Sequence, residues 1–253
     1  HKKECKKRAA EMHDEALFKQ PPPIEEECPI CCLPHPWDAR LTQYYSCCGK
    51  SICSGCTHAD AKQNNRSICP FCRTPGTDSH SEQVKRLEKR MTVNDADAFC
   101  QRGFDYYNGK RGTTKDCGKA FELWLRAGEL GCARAYDNIA DAYCTGGGVK
   151  RDVKKAIHYY ELAAMGGHVK ARHNLGCLEG AALNWSRAIK HWMIAAEAGF
   201  DNSLKAIRIY FMNGRVAKDD FERALRAHKR AKDEMTSDQR KAAAAEDQNP
   251  FFR

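Results

Sequence analysis

Asp152-Val153-Lys154-Lys155-Ala156-Ile157-His158-Tyr159-Tyr160-Glu161-Leu162-Ala163-Ala164-Met165-Gly166-Gly167 reads as one helix with a start, a packing face and a stop. Asp152 stands four residues before Ala156 and can accept hydrogen bonds from the free N–H groups of the first turn, worth about 1 kcal/mol. The small pair Ala163-Ala164 lets a neighbouring helix approach closely. Gly166-Gly167 ends the helix, because glycine adopts the left-handed conformation that turns the chain out of it.

The same pattern recurs. Asp116 precedes Ala120 and leads into Ala127-Gly128; Asn184 precedes Ala188 and leads into Ala195-Ala196; Asp220 precedes Ala224 and leads into Ala231. The anchors Ala120, Ala156, Ala188 and Ala224 are 36, 32 and 36 residues apart. A period in this range marks a solenoid of helix pairs. The partner helix of each pair precedes its anchor. It carries Gly103 and Tyr106 in the first repeat, Ile139, Ala140 and Tyr143 in the second, Leu175 and Gly176 in the third, and Ile207 and Phe211 in the fourth. Gly131 and Gly199 close helices as Gly167 does. The loop Thr145-Gly146-Gly147-Gly148-Val149 joins the helices of repeat two, and repeat three lacks most of it, which accounts for the shorter period.

The Gly148-Val149 step, the Asp152…Lys155-Ala156 start, the Tyr160…Ala163-Ala164 helix and the closing Gly167 resemble the Sel1-like repeat family, relatives of the tetratricopeptide repeats. Ala140 departs from the family's usual glycine but keeps a small residue. The resemblance covers about residues 95–236. It implies a right-handed superhelix whose concave face holds a protein substrate, with the aromatic residues of these helices serving as core.

Upstream lie Cys28-Pro29-Ile30-Cys31, Cys47-Cys48, Cys53-Ser54-Gly55-Cys56 and Cys69-Pro70-Phe71-Cys72. A Cys-x-x-Cys pair lets two thiolates from one turn reach one tetrahedral ion, and two pairs complete its shell. Eight paired cysteines suffice for two closed sites, hence two structural Zn2+ ions and not a catalytic metal. So small a region buries little apolar surface unaided, and metal binding supplies on the order of 10 kcal/mol to such modules. Iron–sulfur ligation or a lone redox pair fits the count less well.

The order of pairs resembles the RING finger family. That resemblance implies a cross-brace: Cys28, Cys31, Cys53 and Cys56 form one site, and Cys47, Cys48, Cys69 and Cys72 the other. The second pair departs from the common Cys-x-His, and Lys50 stands where the histidine usually falls. Cys32, His35 or His58 remains an alternative to Cys47 or Cys48. The resemblance further implies docking of a ubiquitin-loaded conjugating enzyme, with Ile30 and Pro70 as its apolar contacts and Arg73 bridging the enzyme and ubiquitin. Arginine suits that task because its planar fork donates to two partners at once. A bulky apolar residue often found in the helix after the third pair has no counterpart, since Ala59 and Ala61 are small.

The composition narrows the setting. Fifteen cysteines, an odd number densest where the spacing suits metal, argue for a reducing compartment, cytoplasmic or nuclear, over a secreted disulfide framework. The net charge of +9 is spread among interleaved acids, so nucleic acid is not an expected partner. No run approaches the roughly 18 apolar residues of a membrane span. The start at His1 without a methionine suggests a fragment.

The expected fold is mainly α, a small two-zinc cross-brace module plus an α-solenoid of about four helix-pair repeats. The expected boundaries are 1–23 for a charged helix and Pro-rich linker, 24–76 for the zinc module and 77–94 for a linker or helix. The repeats then take 95–236, and 237–253 forms a C-terminal helix or tail. The expected function is a RING-type ubiquitin ligase; the alternative is a non-enzymatic zinc-binding scaffold. The scattered Cys100, Cys117, Cys144 and Cys177 are expected as small buried hydrophobes without a recurring histidine partner, and Cys5 as exposed and unpaired.

Overall fold

A computed structural model describes residues 2–19, 27–38, 41–64, 68–77 and 79–247, without the side chains of residues 2, 3, 5, 6, 10 and 247. The Pro21-Pro22-Pro23 break and the Cys5 thiol fall outside the described residues. The chain divides into two compact units, residues 25–132 with 232–253, and residues 1–24 with 133–231.

The first unit begins with the cysteine module. Strands β1 (Thr42–Tyr45) and β2 (Lys50–Cys53) form an antiparallel hairpin that pairs Thr42 with Cys53 and Tyr45 with Lys50. Helix α2 (Ser54–Asn64) follows directly. Next come α3 (His80–Met91), α4 (Ala96–Asn108) and α5 (Cys117–Glu129), and the unit ends with α12 (Asp238–Asp247), which packs on α2. Asp95 caps α4 by accepting from Ala98 N–H at 3.2 Å. The same carboxylate accepts from Tyr44 Oη at 2.9 Å and Arg90 Nε at 2.8 Å, so one residue ties the hairpin, α3 and α4 together.

The second unit holds α1 (Lys2–Phe18), α6 (Ala133–Thr145), α7 (Val153–Met165), α8 (Val169–Ala181), α9 (Trp185–Glu197) and α10 (Asp201–Met212), with most of α11 (Lys218–Glu234). The four anchor alanines, Ala120, Ala156, Ala188 and Ala224, are completely buried. Helix-pair packing requires this of a small residue on the shared face.

The expected start signals meet different fates. Asp116 caps α5 through Lys119 N–H at 3.0 Å, and Asp152 caps α7 through Lys154 and Lys155 N–H at 3.0 and 3.1 Å. Asn184 precedes α9 but makes no capping bond; its amide donates to Glu179 Oε2 at 2.8 Å. Asp220 lies inside α11, which starts at Lys218, and pairs with Arg223 at 3.0 Å.

The reason in repeat three is its missing loop. The end of α8 turns straight into α9 through Leu183, a non-glycine residue at φ 64°, with Leu183 N–H donating to Gly180 and Asn184 N–H to Glu179. The same turn geometry links repeat two to repeat three, where Gly167 follows α7 at φ 82°, with bonds from Gly167 N–H to Ala164 and from His168 N–H to Ala163. This is the Schellman pattern.

Where paired helices cross, glycine faces tryptophan. A Cβ on Gly103 would meet the Trp124 indole at 2.6 Å, and one on Gly176 the Trp192 indole at 2.4 Å. Repeat two has Ala140 and Tyr160 in one buried cluster instead. The smaller ring of Tyr160 leaves room for the Ala140 methyl group in that cluster.

Candidate functional site

The two Cys-x-x-Cys-x-x-Pro stretches build the same small structure. In the first, Cys28 N–H donates to Leu33 and Cys32 N–H to Cys28; in the second, Cys69 N–H donates to Thr74 and Arg73 N–H to Cys69. Single bridges close each one, Glu27 with Pro34 and Ile68 with Pro75. Cys32 and Arg73 hold equivalent left-handed positions, at φ 54° and 60°. This equivalence gives Cys32 its place as the turn residue of the first knuckle. The other two pairs come from the hairpin. Cys47 and Cys48 occupy its four-residue turn, where Gly49 at φ 68° returns the chain to β2, and Cys53 and Cys56 span the end of β2 and the first turn of α2.

These elements bring eight thiols into two groups. Cys28, Cys31, Cys53 and Cys56 form one, and Cys47, Cys48, Cys69 and Cys72 the other, with the sulfurs of each group within 4.8 Å of one another. The edges include Cys31 to Cys53 at 3.8 Å, Cys48 to Cys69 at 3.9 Å and Cys47 to Cys72 at 3.5 Å. Four sulfurs about 2.3 Å from a tetrahedral zinc stand about 3.8 Å apart, so both groups are compatible with one such metal ion each. Cys32, His35 and His58 belong to neither group. His35 Nδ1 lies 3.4 Å from Thr42 Oγ1, and His58 Nδ1 lies 3.3 Å from Glu246.

The crowding has an electrostatic signature. Burial pushes the Cys47 and Cys56 thiols far up, with neighbouring cysteines adding to the rise, and Cys48 up to about 11. Burial opposes ionisation of Cys28 too, but backbone hydrogen bonds at Cys53, Cys31 and Ile30 outweigh it and bring the thiol to about 7. Without a cation, four close thiols cannot all ionise. A divalent ion removes that repulsion.

Arg240 of α12 braces the first knuckle. It donates to the carbonyls of Pro34 at 2.7 Å and Leu33 at 3.2 Å, and its Nη2 lies 3.6 Å from Cys31 Sγ. A Cβ on Gly55 would meet Arg240 N at 2.8 Å, so glycine permits this close approach of α12 to α2.

Of the expected docking residues, Ile30 is 43% exposed, Pro70 is half-buried, and Arg73 is exposed with Nη1 2.7 Å from Asp60 Oδ1 on α2. Phe71 was missed in sequence. It is the second knuckle's counterpart of Ile30 and is 45% exposed. The recurrence of Cys-Pro-x-Cys-x-x-Pro carried that signal. A cleft of about 810 Å³ beside the hairpin, α2 and α3 is lined in part by Tyr44, Asp60, Pro70, Arg86 and Arg111. Its arginines are engaged: Arg86 with the Pro75 carbonyl at 3.1 Å and Arg111 with Asp105.

The scattered cysteines divide. Cys100 is buried and Cys117 and Cys144 are half-buried, but Cys177 is exposed. Its Sγ lies 3.5 Å from His173 Nε2, one helical turn away on α8.

Residues 100–132 and 133–168 each match the Sel1 repeat. Two solved structures are similar. One is a Sel1 repeat protein from Oxalobacter formigenes, 31% identical over 60% of this chain and 64% of its own, with a TM-score of 0.52. The other is a protective antigen of uropathogenic Escherichia coli with an SLR fold, 26% identical over 60% of this chain and 33% of its own, with a TM-score of 0.51. The chain therefore spans less than two thirds of either relative. No curated protein matches it. The fold class is mainly α, a Sel1-like helix-pair solenoid with an N-terminal cysteine-rich module holding two possible four-cysteine metal sites. Repeats of this kind point to protein–protein interaction. Among the described residues, no helix is long and apolar enough to cross a membrane.

Proposed function

We propose that the protein is a RING-type ubiquitin ligase. Its zinc module, residues 24–76, docks a ubiquitin-loaded conjugating enzyme, and its repeats, residues 95–236, recruit the protein substrate. One observation carries the reading. The first and third cysteine pairs converge on one point, and the second and fourth on another, the interleaving that a two-zinc cross-brace requires. This reading places the protein in a reducing compartment, cytoplasmic or nuclear, on the strength of its odd, metal-spaced cysteines.

In this reading both zinc ions are structural, held by the eight cysteines named above. The chain forms no covalent intermediate and acts by holding the thioester in a reactive pose. Ile30 and Pro70 supply the apolar contact, and Arg73 the bridge to ubiquitin. Exposed Phe71 extends the apolar surface of the second knuckle.

A second reading, a zinc-built scaffold without transfer activity, is favoured by one contact. Asp60, between the small Ala59 and Ala61 on α2, engages the Arg73 guanidinium. Ubiquitin discharge from a panel of conjugating enzymes separates the two. A ligase accelerates discharge and loses that effect with Ile30→Ala while keeping two zinc ions per chain; a scaffold discharges none.

A further inference from the structure

Helix α1 is charged along most of its length, yet its last turn is seated deeply. Leu17 is completely buried in a cluster with Tyr160, Ala163, Ala164 and Leu175. Its backbone carbonyl accepts from Arg172 Nη1. Arg172 is itself 1% exposed, its Nε has no hydrogen-bond partner, and no described carboxylate pairs with it. A buried guanidinium is costly unless its donors are met. The carbonyl at the end of α1 meets one, helped by the partial negative charge of a helix C-terminus.

The neighbouring side chains are met in turn. Phe18 packs against His191 with ring centroids 4.7 Å apart, and Arg187 and Lys190 each lie 5.2 Å from its ring centre. Asp14, one turn earlier, pairs with Arg187, and His13 lies 3.6 Å from Glu161. Three residues at helical spacing thus fill three complementary features of α7, α8 and α9: an apolar pocket, a cation-rimmed aromatic seat and an arginine.

The rest of α1 gains little from this seat. Glu4, Lys7, Arg8, Glu11 and Met12 are exposed, Met12 at 63%. A charged helix of this length is marginal alone. It is held by its final turn and by the high effective concentration of a tethered segment.

We propose that this face of α7–α9 is a recognition site for helical peptides of the pattern Asp/Glu-x-x-Leu-Phe, and that residues 14–18 occupy it in cis as a built-in competitor. A partner carrying the pattern displaces α1. The proposal rests on the repeat unit alone, so a failed ubiquitin assay leaves it standing.

The test uses the full chain and a fluorescent peptide of residues 2–19. A Leu17→Ala/Phe18→Ala chain should bind the peptide at least tenfold more tightly than the parent, whose site is filled. A peptide with the same two alanines should not bind. An Asp14→Ala/Phe18→Ala chain, which removes only half-buried side chains, should show the same direction if loss of Leu17 weakens folding. In the parent, excess peptide should speed amide exchange across residues 2–18 at least tenfold. No binding to either variant while its melting stays cooperative, or equal binding to parent and variants, overturns the proposal. A concentration-dependent dimer of the parent, lost in the variants, would place a second copy's α1 in the groove and overturn the cis assignment.

Discussion

Arg73 donates to Asp60 at 2.7 Å, tying the residue after Cys72, the last of the eight clustered cysteines, to the middle of α2. Asp60 thus holds the guanidinium that, in the ligase reading, bridges conjugating enzyme and ubiquitin. Arg73→Ala should lower single-turnover discharge at least tenfold, with two zinc ions retained. Asp60→Ala, which frees the guanidinium, should leave discharge equal or higher. Equal loss in both variants would mean that the pair serves only to shape the second knuckle.

Arg240 reaches 3.6 Å from Cys31 Sγ and holds two carbonyls of the same knuckle. Residues that orient metal ligands typically tune affinity 10–100-fold, an order-of-magnitude range. In a chelator titration, Arg240→Ala should release one of the two ions at roughly tenfold lower chelator concentration and leave the other unchanged. Unaltered release of both ions would reduce Arg240 to a packing contact. Full chelation should melt the hairpin and α2, seen as loss of protected amides across residues 42–64.

Gly176 faces Trp192 so closely that any side chain must push the indole or the helix away. Gly176→Ala should cost about 1–3 kcal/mol, the usual range for overpacking. Ala140→Gly in repeat two, where the facing ring is a tyrosine, should instead lose a buried methyl and helix propensity, costing about 2 kcal/mol together. Urea midpoints of the two variants check both values.

His191 is completely buried, with neither ring nitrogen hydrogen-bonded among the described residues. Burial, then the charges of Arg172 and Arg187, push its pKa down to about 3, with Asp14 opposing weakly. The unfolded chain takes up this proton near pH 6.5, and the folded chain resists until about 3. The unfolded state therefore binds more protons between those values, so stability is full above pH 6.5 and falls on acidification, by at most about 1.4 kcal/mol per pH unit. His173, lowered by burial as well, adds to the same fall. His191→Phe should lose less stability than the parent between pH 7 and pH 5 in urea melts. Parallel losses would show that His191 does not titrate on unfolding.

The parts of this molecule that were legible in sequence are those written in short spacings. Eight cysteines in pairs, four anchor alanines and the Asp116 and Asp152 caps all act within a turn or a repeat. Asn184 failed as a cap because the loop that would present it is absent, and Leu183 takes the turn instead. The long-range contacts carried no local signal. Arg240 bonds carbonyls 206 and 207 residues away, and Arg172 bonds one 155 residues away. Carbonyls carry no residue identity, so no sequence pattern marks either partner. The charged surface of α1 likewise concealed that its last turn is core.

The central claim is that the interleaved cysteine sites display a surface that activates a ubiquitin-loaded enzyme. Discharge of ubiquitin from a panel of conjugating enzymes, with free lysine as acceptor, tests it most directly. The account predicts accelerated discharge from at least one enzyme, abolished by Ile30→Ala with bound zinc still at two ions per chain. Uniform failure to accelerate discharge by a chain carrying both ions would contradict it.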